Sequence, residues 1–169
     1  LICGKNAINI LMRYSDVIGV FIPEILPMIG FQQHNPHHIY DVWEHTVRTV
    51  GSIPPIPYLR LAAFFHDSGK PDTFQKDENG VGHFYGHAAE SARIAADVLN
   101  RLRFDARRRE EIVQLVRLHD TPVEPERKAV HRLACRVGIP AAQALSEALE
   151  TAEEPGTPPE TGTTLPPTA

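Results

Sequence analysis

Apolar residues recur along this chain mostly at three- and four-residue spacing, the period of helices with one buried face. The pattern predicts a helix over Ala7–Arg13 and another over residues 16–28, the second interrupted by Pro23 and Pro27. Residues 34–38 read as an irregular entry segment. A helix over residues 41–50 follows with the stripe Trp43, Val47, Val50, and Gly51 with Pro54, Pro55 and Pro57 ends it. A strong helix over residues 58–68 stops at Gly69 and Pro71. Residues 71–86 are polar and Gly-rich, with alternation near residues 82–85, which predicts a loop or short hairpin. The clearest amphipathic helix spans residues 87–102, with Ile94, Val98 and Leu102 on one face. Residues 105–119 repeat the pattern through Ile112, Leu115 and Val116, and smaller helices follow over 126–137 and 140–149. The fold class is therefore all-α, a helical bundle with a loop or hairpin between its second and third core helices.

Composition narrows this to one domain over residues 1–150. A chain of 169 residues with 42% hydrophobic and 22% charged side chains supports a single core. From Thr151 onward the chain has five prolines and six threonines in 19 residues and nothing to bury, which predicts a disordered tail. The net charge is −4, and the tail contributes Glu153, Glu154 and Glu160 without a base, so residues 1–150 stand near −1. That excludes a strongly basic nucleic-acid clamp but leaves room for a local patch. Cys3 and Cys135 show no metal or redox spacing and read as reduced thiols. No apolar run reaches the ~18 residues needed to span a bilayer, and Lys5 and Asn6 break the first apolar stretch, unlike a signal peptide. The expectation is a cytoplasmic protein without a membrane partner. The chain starts at Leu1 on residues that already read as helix, the pattern of a fragment or processed chain.

Nine histidines are many for this length, and their placement carries the chemistry. Leu59, Ala62, Ala63 and His66 fall at i, i+3, i+4 and i+7, so the imidazole continues a core-facing stripe, and Asp67 follows it. A buried imidazole–carboxylate pair is costly unless a charge compensates it, which a divalent cation does. His119-Asp120 repeats the arrangement after Ile112, Leu115 and Val116. His45 lies off the Trp43–Val47–Val50 stripe, giving its helix two faces turned from solvent. Any one of these histidines alone is more often a hydrogen-bonded core residue than a ligand. Together they form a mixed imidazole–carboxylate set suited to Mn, Ni, Co, Mg, Fe or Zn, with positions open for water and phosphate oxygens.

His45, the string His66-Asp67-Ser68-Gly69-Lys70, and Asp120 resemble the H…HD…D signature of the HD superfamily of metal-dependent phosphohydrolases. Pro23-Glu24, Gly30-Phe31, Asn35-Pro36-His37-His38, the run from Tyr40 to Thr46 and the run from Phe84 to Ser91 are similar to the HD region of bacterial tRNA nucleotidyltransferases (CCA-adding enzymes and their poly(A) polymerase-like relatives). The likeness covers roughly residues 1–138. No Asp-x-Asp occurs in the sequence and the nucleotidyltransferase head is missing, so this chain alone is not expected to add nucleotides to tRNA.

The resemblance implies that His45, His66, Asp67 and Asp120 hold one metal, and that His87 and His119 match positions that hold a second in binuclear members. Read from the residues, His87 is equally a polar helix start and His119 a neighbour that orients a ligand. Asp67 is the expected catalytic carboxylate, bridging metals or orienting the attacking water. The family places a lysine at Lys70 to meet a phosphate oxygen, the alternative being a solvated lysine. His38 is a candidate substrate contact, and His34, His37, His83 and His131 read as surface residues. Arg101, Arg103, Arg107, Arg108 and Arg109 form the only basic cluster, a solvated helix end or the first place to look for RNA backbone contacts. The implied activity is hydrolysis of a nucleotide or RNA phosphate ester by a phosphatase or cyclic phosphodiesterase, with tRNA a possible partner. The rival is a non-catalytic HD portion of a tRNA nucleotidyltransferase that supports folding or tRNA binding.

The tail composition offers no apolar surface to offset an ordering cost of about 1–2 kcal/mol per residue. Removing residues 153–169 is therefore expected to leave the melting temperature and divalent-metal affinity unchanged, and a drop in either in a side-by-side melt and titration would show that the tail docks.

Overall fold

Two of the core helices begin at an aspartate that accepts from their free amide groups. In the computed structural model, which describes residues 1–34 and 39–121, Asp41 caps α3 (Val42–Ser52) by accepting from Glu44 N at 2.7 Å, while its other oxygen takes Gly30 N at 3.2 Å. Asp105 caps α7 (Ala106–Leu118) through Arg108 N at 3.0 Å. Before them come α1 (Ala7–Arg13) and α2 (Ser15–Phe21), then a 3-10 helix over Pro23–Met28. One continuous helix over residues 16–28 is thus corrected to two pieces, because Pro23 and Pro27 withhold the amide hydrogens a continuous α-helix needs.

The centre of the bundle is α4 (Pro57–Phe65), packed against both α3 and α7. Leu59, Ala62, Ala63 and His66 are buried as their spacing predicts, and so are Phe64, Phe65 and Arg60. Arg60 escapes an unpaired charge in the core by donating to the carbonyls of Ile53 and Ile2. Burial of side chains such as Leu59 and Phe65 is worth about 1.5–3 kcal/mol each. On α3, Trp43, Val47 and Val50 face the core while His45, Thr46 and Thr49 are buried as well, so both non-solvent faces exist.

After α4 the chain turns through Ser68 N to Phe65 O and Lys70 N to Asp67 O, then forms the single turn α5 (Lys70–Thr73). A hairpin of β1 (Gln75–Lys76) and β2 (Gly82–His83) follows, antiparallel with Gln75 opposite His83. It leads into α6 (His87–Arg101), which runs back along α7. Among the described residues the architecture is a helical bundle with one two-residue hairpin. No helix in them is long and apolar enough to cross a membrane. The helices expected over 126–137 and 140–149, the tail, His37, His38, His131 and Cys135 lie outside the described residues.

One close approach fixes how α6 sits on the turn after α4. Gly69 N donates to Ser91 Oγ at 2.9 Å, and a Cβ on Gly69 would lie 2.7 Å from Ser91 N and 2.8 Å from His87 O. These are backbone atoms at the start of a helix and cannot step aside alone. Gly69→Ala is expected to destabilise the domain by about 1–3 kcal/mol, as overpacked cores are. Equilibrium urea denaturation reads this, and an unchanged midpoint would show that α6 tolerates displacement.

Candidate metal centre

Four chain segments end on one buried point. Asp67 follows α4 and is 2% exposed, with His66 beside it, His45 reaching from α3, His87 opening α6 and His119 closing α7. Its Oδ2 lies 3.2 Å from His66 Nε2 and 3.5 Å from His45 Nε2, and these two nitrogens are 3.2 Å apart. Its Oδ1 lies 3.5 Å from His87 Nε2 and 3.8 Å from His119 Nε2, themselves 3.1 Å apart. Asp67 therefore belongs to two groups, His45–His66–Asp67 and Asp67–His87–His119, in each of which the ligand atoms lie close enough together to share an ion.

Backbone chemistry decides what the nitrogens offer. His66 Nδ1 lies 2.7 Å from Ala63 O, His87 Nδ1 2.9 Å from Phe84 O, and His119 Nδ1 2.7 Å from Val116 O. A carbonyl oxygen only accepts, so each Nδ1 carries the hydrogen and each neutral ring presents a lone pair at Nε2. The acceptor is the carbonyl three residues earlier in every case. Imidazoles tied down in this way are prepared metal ligands. Asp67 Oδ2 adds to the fit, since it is enclosed and receives no aligned hydrogen bond. Lys70 Nζ is 2.9 Å away as an ion pair, but not in hydrogen-bond alignment. A divalent cation suits this donor set: nitrogen lone pairs facing each other repel, and a cation between them removes the repulsion.

Electrostatics divides the groups by protonation. Burial pushes the Asp67 carboxyl up, but charge at His66 and Lys70, joined by Nε2–H donation from His119 and His66 when those rings are protonated on both nitrogens, outweighs it and holds the group well below the usual carboxylate range. Burial lowers His87, against a raising pull from Asp67. Burial also acts to lower His119, yet the Asp67 carboxylate prevails and raises it above the ordinary histidine value. The two neighbouring imidazoles are pushed in opposite directions.

The structure thus brings His45, His66, Asp67, His87 and His119 together. Asp120 stands outside both groups: its side chain is 66% exposed and its Oδ2 comes no nearer than 3.9 Å to His87 Nδ1, the nitrogen already committed to Phe84. Lys70 is not a solvated lysine. It is 6% exposed, with its ammonium on Asp67, donating to Gln33 Oε1 at 2.8 Å, and 5.3 Å from the Phe84 ring centroid. Gln33, 2% exposed and donating to Tyr40 O, is a site residue that sequence reasoning missed, because an isolated Gln in an irregular segment carries no periodic signal. His38 lies outside the described residues. Three of the five clustered arginines are ion-paired: Arg101 with Glu24, and Arg107 and Arg108 with the one carboxylate of Glu111.

Comparison with known proteins agrees with this geometry. The HD domain model matches residues 37–154. The chain belongs to the HD domain family. It is 39% identical over 132 residues to the CC-adding tRNA nucleotidyltransferase of Thermus thermophilus, covering 75% of this chain and 30% of that enzyme. It is 30% identical over 126 residues to the A-adding tRNA nucleotidyltransferase of Deinococcus radiodurans, covering 69% and 29%. A bifunctional uridylyltransferase/uridylyl-removing enzyme of Caulobacter vibrioides is 32% identical over 140 residues, 69% of this chain and 14% of its own length. The chain thus spans less than a third of each of these relatives. No solved structure matches it.

Because Asp67 is common to both groups, Asp67→Asn is expected to weaken Mn2+ binding more than either His66→Ala or His87→Ala, each of which already costs about tenfold or more. Isothermal titration of the three variants checks the ranking: an Asn variant that binds as tightly as either alanine variant would show that Asp67 is not shared, and one that binds as tightly as the wild type would remove Asp67 from the centre.

Proposed function

We propose that this domain hydrolyses phosphate esters of nucleotides or RNA ends with one or two divalent ions held at Asp67. The observation that carries the reading is the shared carboxylate between two groups of inward-facing Nε2 atoms. His45, His66 and Asp67 would hold one ion, and His87 and His119 with Asp67 a second, while Asp120, though outside both groups, remains the fourth ligand that the resemblance implies for the first. A divalent ion bound there supplies charge neutralisation at phosphate oxygens and acidifies a coordinated water, whichever of Mn, Ni, Co, Mg, Fe or Zn it is.

The protein's own residues divide the remaining work. Asp67, ionised at neutral pH, orients the water for in-line attack on phosphorus. Where His87 and His119 are not ligands they form an acid–base pair with separated affinities for protons. His87, kept neutral by burial, accepts the water's proton at Nε2. His119, whose hold on a proton Asp67 strengthens, would in its protonated form release the Nε2 proton to the departing ester oxygen as the P–O bond breaks. The Lys70 ammonium pairs with Asp67, and its hydrogen bond to Gln33 limits its reach toward a substrate phosphate.

The second reading is a non-catalytic HD portion that supports a tRNA nucleotidyltransferase, favoured by the two tRNA-enzyme relatives of which the chain matches less than a third. Hydrolysis of p-nitrophenyl phosphate and 2′,3′-cyclic nucleotides with Mn, Ni, Co or Mg separates the two. Turnover is expected for the wild type, and Asp67→Ala is expected to lower it by about 10²-fold or more while circular dichroism stays unchanged. Wild-type turnover in Asp67→Ala would place the chemistry elsewhere, and no turnover with any metal would favour the non-catalytic reading.

A further inference from the structure

Beside the centre, the hairpin presents an aromatic surface that the site described so far does not use. Tyr85 is 72% exposed, and its ring stacks on that of His83 with centroids 5.4 Å apart and planes within 4°. A ring covered on one face and still this exposed leaves its other face open. His83 is held in turn: its Nε2 lies 3.1 Å from Asp77 Oδ2, while Asp77 Oδ1 accepts the amide hydrogens of Asn79 and Val81, each at 2.9 Å. The stack is therefore built on a braced turn.

The same strand is clamped to the centre. Gly82 N donates to His34 O at 2.8 Å, Phe84 turns inward over Lys70, and Phe84 O accepts from His87 Nδ1. Tyr85 is the next residue, and the turn at Gly86 (φ +79°) leads straight into His87. Two residues of chain keep the Tyr85 and His87 Cα atoms within about 7 Å. With Phe84 half-buried against Lys70 and Tyr85 exposed, the outer ring is carried on the chain one residue beyond the wall of the centre.

We propose that Tyr85, backed by His83, is a stacking platform for the base of a nucleotide whose phosphate lies at Asp67. The inference rests on the phosphohydrolase reading for the placement of the phosphate and names the part of the substrate that chemistry at phosphorus does not require. Stacking on an aromatic face is tolerant of base identity, so the platform selects nucleotides over sugar phosphates without distinguishing one base from another.

The test compares equilibrium binding of AMP and ribose 5-phosphate to the full chain in Mn2+, measured by isothermal titration for the wild type, Tyr85→Ala and Tyr85→Phe. The wild type is expected to bind AMP about tenfold more tightly, the lower part of the range for one stacked base. Tyr85→Phe keeps that margin, and Tyr85→Ala loses it without changing ribose 5-phosphate binding. Equal binding of the two ligands by the wild type, absence of AMP binding, or a margin that survives Tyr85→Ala would each overturn the platform. Wild-type turnover of p-nitrophenyl phosphate, a substrate without a base, reports separately on the hydrolase reading, so each idea fails on its own measurement.

Discussion

The arrangement depends on a contact repeated at three helix boundaries: a histidine Nδ1 donating to the carbonyl three residues behind it. His66 uses Ala63, His87 uses Phe84 and His119 uses Val116. Each bond is ordinary in strength, about 0.5–1.5 kcal/mol net. Its consequence is directional. Both the ring plane and the proton are fixed, so the opposite nitrogen must meet the interior as an acceptor. Three such acceptors converge on Asp67, which is already an anion, and the cluster is rich in lone pairs and short of positive charge. Lys70 and the proton favoured on His119 supply part of what is missing. A divalent cation supplies it in one step.

Such a cluster adds little to stability and must be held by packing elsewhere. The apolar core around α4 does this, with Leu59, Ala62, Ala63 and Phe65 buried on several sides. Gly69 then brings the start of α6 against the turn that bears Asp67, closer than any side chain would allow. Position in the centre is thus set by contacts between backbone and small residues. Helix α7 adds His119 at its last turn, after Ile112, Leu115 and Val116 have anchored it.

Much of this was legible in the sequence for a physical reason: helical periodicity survives wherever one face is buried. The spacing of Leu59, Ala62, Ala63 and His66 located the first imidazole, and that of Ile112, Leu115, Val116 and His119 the last. The HD resemblance singled out His45 and His87, and the family match over residues 37–154 agrees with that assignment of family. What periodicity cannot express was lost. The short α5 has too few residues for a repeat, and the long second helix divided at Pro23. Gln33 reaches the site from irregular backbone, where only tertiary contacts identify it. Lys70 follows an Asp three residues earlier, which leaves its burial undetermined until Gln33 and Phe84 are in place. Asp120, one residue past His119, has a side chain 66% exposed with its Oδ2 3.9 Å from His87 Nδ1.

The central claim is that Asp67 is the common ligand of a divalent-metal centre. Anomalous diffraction from crystals grown with Mn2+ tests it most directly. The account predicts one or two peaks beside Asp67, at about 2.0–2.4 Å from its oxygens and from Nε2 atoms of the surrounding histidines. Mn2+ bound elsewhere, with Asp67 still paired only to Lys70 and its histidine neighbours, would contradict it.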